Sequence, residues 1–290
     1  MKKIIIEAIG GLGNQLFQYA IYFTLKKKYG DEAVYLYVGR YELITDNKGY
    51  QVDTVFYNAK SKKYNGEIDC YIDDGVDLYS RIRRKFFGRN KSFVLEVKYG
   101  YNGGILKFDE NRVYYLRGLW QSPKYFNDYQ RELRSLLSFP ETYKTLDNNF
   151  CNDTEHVSLH VRRGDYISNP KYNRILNGVC DDVYYKNALA YLEDNIGKKF
   201  TILVFSDDLI WVRDNFKFLD KYNVRFIHGF SDFEDLYLMS RCDHNIIANS
   251  TFSWWGAWLN SHDNKIVVAP KLWFKSDCCD DLIPEDWIRL

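Results

Sequence analysis

The chain has 290 residues, 46% hydrophobic and 27% charged, which suits two domains of roughly 100–150 residues and excludes a disordered protein. Its formal net charge of +1 provides no long-range attraction to nucleic acid, and no nucleic-acid-binding signature appears. Aromatic residues reach 18%, a richness that suits carbohydrate stacking and core packing alike.

The N-terminus reads as strand, glycine turn, helix. "KIIIEAI" is β-branched and apolar; Gly10, Gly11 and Gly13 interrupt it, and "NQLFQYAIYFTLKKKYG" begins a helix that Gly30 can end. Glu7 and the glycines cut the apolar start too short for a signal peptide, and no run approaches the roughly 18 apolar residues of a membrane span. "GGLGNQ" lacks full GxGxxG spacing, so its glycines could serve the turn alone. Asn14 and Gln15 would stand at the helix start. Residues 40–110 are poorly patterned. Within them, "RIRRKFFGRNK" (81–91) sets six basic residues around Phe86 and Phe87, either a solvated face or a patch for an anionic membrane surface. "VYYLRGLW" (113–120) reads as a strand. Trp120, Gln121 and Ser122 then combine a stacking face with hydrogen-bonding groups that fit a sugar, although a tryptophan here serves a core equally well.

A polar interruption at Pro140 and "DNNFCNDTEH" predicts a boundary between domains 1–150 and 151–290. Beyond it the pattern is regular. "HVSLHV", "FTILVFS", "NVRFIH", "HNIIA" and "KIVVAP" are short apolar runs separated mostly by helical stretches, which predicts a buried parallel sheet in a doubly wound α/β domain. Tyr185, Leu189, Leu192 and Ile196 recur at helical spacing before Gly197, and Ser231 with Glu234 forms a candidate capping box. The six cysteines, Cys70, Cys151, Cys180, Cys242, Cys278 and Cys279, show no paired CxxC spacing. A zinc site is not expected, and free thiols in a reducing cytoplasm are.

Ligands of doubly wound sheets sit beyond the carboxyl ends of the strands, and three polar stretches lie there. "LHVRRGDY" offers Arg162 and Arg163, whose planar forks match phosphate oxygens; Asp165 could orient one of them, or the group could be a local ion-pair network. "NSTFSWWGAWL" runs from a strand through Asn249, Ser250, Thr251, Phe252 and Ser253 into a helix whose free amides form an anion site. Plain N-capping needs only one of those hydroxyls, and the tryptophans read better as core. In "FSDDLIW", Asp207 or Asp208 could accept the paired donors of a guanine edge, or cap the following helix.

These stretches, with "GGLGNQLFQYA", "YLRGLWQSPKYF" and "LNGVCDDVYYKNAL", resemble the bacterial α-1,2-fucosyltransferases of glycosyltransferase family 11 from residue 4 to about 270, residues 40–110 excepted. The resemblance implies a GT-B type α/β fold, two Rossmann-like domains facing a cleft. The acceptor side would be 1–150 and the GDP-fucose side 151–290, whose last residues could pack back on the first domain. It implies inverting transfer of L-fucose from GDP-β-L-fucose to O2 of a terminal β-galactoside in a surface glycan, O-antigen or capsule, with no cofactor and no obligate metal. By position, His160, Arg162 and Asp165 match the HxRxxD motif, Arg162 bearing the diphosphate with Arg163 beside it. Ser250, Thr251, Phe252 and Ser253 match the phosphate-and-fucose loop, with Asn249 also on the donor side, Asp207 or Asp208 would meet guanine, and Gly13, Asn14, Gln15, Trp120 and Gln121 fall on the acceptor and fucose side. Asp165 is available by type as the base that takes the acceptor proton, with His160 and Glu7 behind it. A lipid-linked acceptor would suit a cytoplasmic enzyme at the inner membrane face. Another linkage, another GDP-sugar, or a non-enzymatic carbohydrate-binding module are the competing readings.

Overall fold

The computed structural model of the protein describes residues 2–43, 48–97, 99–109, 111–150, 154–276 and 280–290. Cys151, Cys278 and Cys279 lie outside the described residues; Cys70, Cys180 and Cys242 carry free thiols. The chain forms two compact units, Met1–Ser138 and Phe139–Leu290, each built on a parallel sheet. Both are Rossmann-like α/β units with wholly parallel sheets among the described residues. The division falls earlier than 150/151 because Phe139 and Tyr143 pack their rings on Tyr237, 5.2 and 5.6 Å away, in the second unit.

The first unit runs β1 (Lys3–Glu7), α1 (Leu12–Tyr29), β2 (Val34–Tyr37), α2 (Val52–Val55), α3 (Leu78–Phe87), β3 (Phe93–Leu95), β4 (Val113–Arg117) and α4 (Gln130–Leu136). Its strands lie in the order β2-β1-β4-β3. The chain passes from β2 on one side of β1 to β3 at the far edge and back to β4, so the order switches direction between β1 and β4, whose carboxyl ends are where such sheets bind ligands. Gly10 makes the tight exit from β1: its φ is +79°, and a Cβ there would lie 2.7 Å from Asn14 Nδ2. The helix starts two residues before the expected Asn14, so Gly13 lies in its first turn rather than in the preceding loop.

The second unit runs β5 (Glu155–Val161), α5 (Gly164–Ser168), α6 (Pro170–Ile175), α7 (Asp182–Ile196), β6 (Phe200–Ser206), α8 (Leu209–Asn215), β7 (Asn223–Phe226), α9 (Asp232–Arg241), β8 (His244–Ile246), α10 (Thr251–Leu259), β9 (Val267–Ala269) and β10 (Ile288–Arg289). Read from one edge, the order is β7-β6-β5-β8-β9-β10, the dinucleotide-fold order with its switch point between β5 and β8. Strand alternation divides the core. Val157, Leu159, Ile202 and Val204 meet Tyr184, Leu189 and Leu192 of α7 and Val212 of α8, whereas Leu203 and Phe205 meet Tyr237, Leu238 and Met239 of α9. Each such buried side chain contributes about 1.5–3 kcal/mol.

Predicted helix signals appear as hydrogen bonds. Asp181 accepts from Tyr184 N to start α7, Gly197 ends it at φ +69°, and the Ser231–Glu234 capping box of α9 is complete. Within the second unit the last residues extend its sheet: Ile288 and Arg289 pair in parallel with β9, and Trp287 packs 5.4 Å from Trp254. Among the described residues, no helix is long and apolar enough to cross a membrane.

Candidate active site

The second unit's strand ends assemble one cluster. β5 and β6 run side by side to Val161 and Ser206, so Arg162 and Arg163 emerge beside Asp207 and Asp208. Arg162 donates from Nε (3.0 Å) and Nη2 (2.6 Å) to Oδ1 of Asp165, and its Nη1 lies 3.0 Å from Oδ2 of Asp207. Arg163 donates its backbone N–H to Asp207 Oδ1 (2.8 Å) and Nε to Asp208 Oδ2 (3.1 Å), while its guanidinium carbon stands over the Trp211 ring, 3.5 Å from the centroid. Burial works against the Arg162 charge, but Asp207 and Asp165 outweigh it and hold the guanidinium above its ordinary pKa. The ion-pair network and the anion site were competing readings of the sequence. The structure contains the network, and two fixed guanidiniums within it.

Across the switch point, the β8 end supplies the helix start. Ser250 is the N-cap of α10 and makes no side-chain capping bond; Phe252 and Ser253 carry first-turn amides without partners inside the helix. Tyr166 fastens the two loops, donating its hydroxyl to Asn249 O at 2.7 Å. The β5–α5 and β8–α10 loops thus form one surface with two cations and a helix N-terminus. Gly164 is required for closeness: a Cβ there would sit 2.5 Å from Asp207 Oδ2 and 3.2 Å from its Cγ. Gly164→Ala should therefore displace Asp207 and loosen both arginines, lowering turnover on the order of 10–100-fold with little change in melting temperature. Steady-state rates beside a thermal melt test this.

Several predicted site residues have other work. His160 is buried, its ring centroid 5.9 Å from Phe252, and burial followed by the Arg162 charge lowers its pKa to about 3. It is neutral at working pH and a poor proton acceptor, so the structure argues against it as base. Glu7 has Oε1 2.8 Å from Arg40 Nε and Oε2 2.5 Å from Arg117 Nε, leaving no carboxylate oxygen outside an ion pair. Asn249 uses its amide to hold Leu176 O (3.2 Å) and Trp273 O (3.0 Å), so that side chain shapes the loop instead of presenting donors to a ligand. Asp208 is the N-cap of α8, accepting from Trp211 N (3.2 Å), and both oxygens of Asp207 are taken. Neither aspartate, as placed, offers a guanine edge two oxygens.

At the strand ends of the first unit, Asn14 and Gln121 do converge, Gln121 Nε2 donating to Asn14 Oδ1 at 2.8 Å. Gln15 instead bonds Gly10 O, Gly49 O and Gln51 N, locking the loops around the β1 exit. Trp120 is fully buried, a core residue and not a stacking platform. Trp254, Trp255 and Trp258 are core as well.

A cavity of about 410 Å³ that no sequence motif marks is lined by Arg162, Arg163, Tyr166, Asn177, Trp211, Asn215 and Phe216 among others. The signal for Trp211 was its place three residues after the cap Asp208, which turns it back toward the β5 end.

The sequence profile of Glycosyl transferase family 11 matches residues 100–290. The chain is 32% identical to the O-antigen biosynthesis glycosyltransferase WbnK of Escherichia coli over 97% of this chain and 98% of that protein. It is also 32% identical to an alpha-1,2-colitosyltransferase of Escherichia coli, over 100% and 99%. A shorter match, 30% identical over 46% of this chain and 35% of the relative, is to galactoside alpha-(1,2)-fucosyltransferase 2 of Sus scrofa. With full-length relatives and a profile that begins before β4 and spans the whole arginine-bearing unit, the chain belongs to glycosyltransferase family 11.

Proposed function

We propose that the protein transfers L-fucose from GDP-β-L-fucose to O2 of a terminal β-galactoside in a surface glycan such as an O-antigen repeat, inverting the anomeric centre. The observation that carries this is Arg162 and Arg163 at the β5 end, joined through Tyr166 to the loop that starts α10. A helix N-terminus and two guanidiniums are what a departing diphosphate needs. The nucleoside lies in the cavity beside Trp211 and Asn215, where aromatic faces and amides suit a purine. The bond from fucose C1 to the β-phosphate oxygen breaks, its electron pair leaves with GDP, and the acceptor oxygen bonds C1 from the opposite face. The charge developing on the diphosphate is met by fixed cations, so no metal is required. Of the three groups suited by type to take the acceptor proton, Asp165 alone receives both hydrogen bonds from Arg162 on one oxygen, Oδ1. Oxocarbenium character in the sugar lowers the base strength needed.

GDP-colitose is the second donor reading, favoured by the colitosyltransferase relative. One assay separates the readings: GDP-fucose, GDP-colitose and UDP-galactose offered with a β-galactoside, products linked by NMR, with and without EDTA. Transfer from GDP-fucose into an α-1,2 linkage, unchanged by EDTA, is expected. Strong preference for GDP-colitose moves the donor to the second reading. Binding of free galactose with no transfer from any GDP-sugar removes the enzymatic one.

A further inference from the structure

Helix α3 turns its polar side to the protein and its apolar side to solvent. Asp77 caps it, accepting from Ser80 N at 2.9 Å, and Gly88 ends it at φ +74°. It is anchored by charge: Arg83 and Arg84 pair with the buried Asp73, and Arg84 Nη2 donates to Gly75 O at 2.5 Å. None of its ten residues is buried. Leu78, Tyr79, Ile82 and Phe86 share one helical stripe and are 72%, 76%, 46% and 75% exposed, with Phe87 at 84% beside them. Scattered apolar side chains on a surface are ordinary, but a contiguous stripe marks an interaction face.

The charge around the stripe selects its occupant. Residues 81–91 contain no acid. Arg83 and Arg84 are taken by Asp73, whereas Arg81 and Lys85 border the stripe and Arg89 and Lys91 follow it, all exposed and with no ion pair to a described carboxylate. A short helix with leucine and phenylalanine on one face and lysine and arginine along its margin is built to lie in the headgroup plane of a bilayer. We infer that α3 seats this face on an anionic phospholipid surface. Ile82, Phe86 and Phe87 enter the boundary between headgroups and acyl chains, and Arg81, Lys85, Arg89 and Lys91 meet lipid phosphates. This goes beyond the proposed transfer and does not depend on which sugar is donor or acceptor.

The test is co-sedimentation of the full chain with vesicles of phosphatidylcholine alone and of phosphatidylcholine with phosphatidylglycerol. Binding should require the anionic lipid and weaken with salt. Reversing Arg81, Lys85, Arg89 and Lys91 to glutamate should weaken it by at least about tenfold, and Ile82→Ser with Phe86→Ser and Phe87→Ser should also reduce it. Both variants should keep the wild-type melting temperature and turnover of a soluble acceptor. Equal binding to both vesicle types, no binding, or unimpaired binding by the variants overturns the inference. So does a dimer in light scattering that the apolar variant dissociates without any vesicle binding, since the stripe would then be covered by a second copy.

Discussion

Arg162→Ala should lower the proposed fucose transfer by about 10²–10³-fold, a loss of about 2.7–4 kcal/mol of transition-state stabilisation, while the fold persists. The guanidinium stands past the end of β5, with its side chain 33% exposed, so no core packing is lost with it. Two carboxylates lose a partner, but Asp207 retains the Arg163 N–H and Asp165 is 43% exposed and can be hydrated. Arg163 and the α10 amides remain, which places the loss toward the lower end. Arg162→Lys keeps a charge but loses the fork that spans Asp165 and Asp207, and should fall between. Initial rates at saturating GDP-fucose, beside a circular dichroism melt, give the answer. Near wild-type turnover by the alanine variant would falsify the role assigned to Arg162.

The largest stability effect should come from Trp254→Ala, about 3–5 kcal/mol. Trp254 is fully buried, edge-on to Trp255 at 5.1 Å, stacked with Trp258 at 6.3 Å and tilted against Trp287 at 5.4 Å. Its indole N–H donates to Leu282 O at 2.9 Å, so truncation opens a cavity and leaves that carbonyl without its partner. Domain stabilities are typically about 5–15 kcal/mol, so this one substitution should remove a large share of the C-terminal unit's margin. Two units need not melt together, and the expected result is a lower transition for the C-terminal unit with the N-terminal one unmoved. A single unshifted transition would show that the tryptophan cluster is not what holds α10 to the C-terminal segment.

Sequence pattern revealed the second unit because its strands are covered on both faces and read as unbroken apolar runs. The glycine and acidic punctuation of α7 and α9 then matched the caps in the structure. It failed between 40 and 110 for a physical reason. β3 has three residues, α3 buries nothing, and tyrosines pack edge to face, Tyr35 with Tyr64 at 5.8 Å, so burial there has no simple period. For the site, residue type identified Arg162, Arg163 and the start of α10. Type could not show which polar side chains were already committed. Gln15 and Asn249 look like ligand contacts in sequence, yet each satisfies backbone carbonyls, Gln15 those of Gly10 and Gly49 and Asn249 those of Leu176 and Trp273. Trp120 shows the same limit, at φ +53° in the core where a sugar platform was considered.

The aspartates around Arg162 and Arg163 have a kinetic consequence. An empty cationic site would hold any phosphate tightly, product included, and turnover would then wait on GDP leaving. On the proposed reading, Asp165, Asp207 and Asp208 act as tethered competitors at high local concentration, ready to recapture each guanidinium as the nucleotide departs. Such a site trades standing affinity for exchange: ground-state binding is weakened by the carboxylates it must displace, and the release that ends each cycle is assisted by their return.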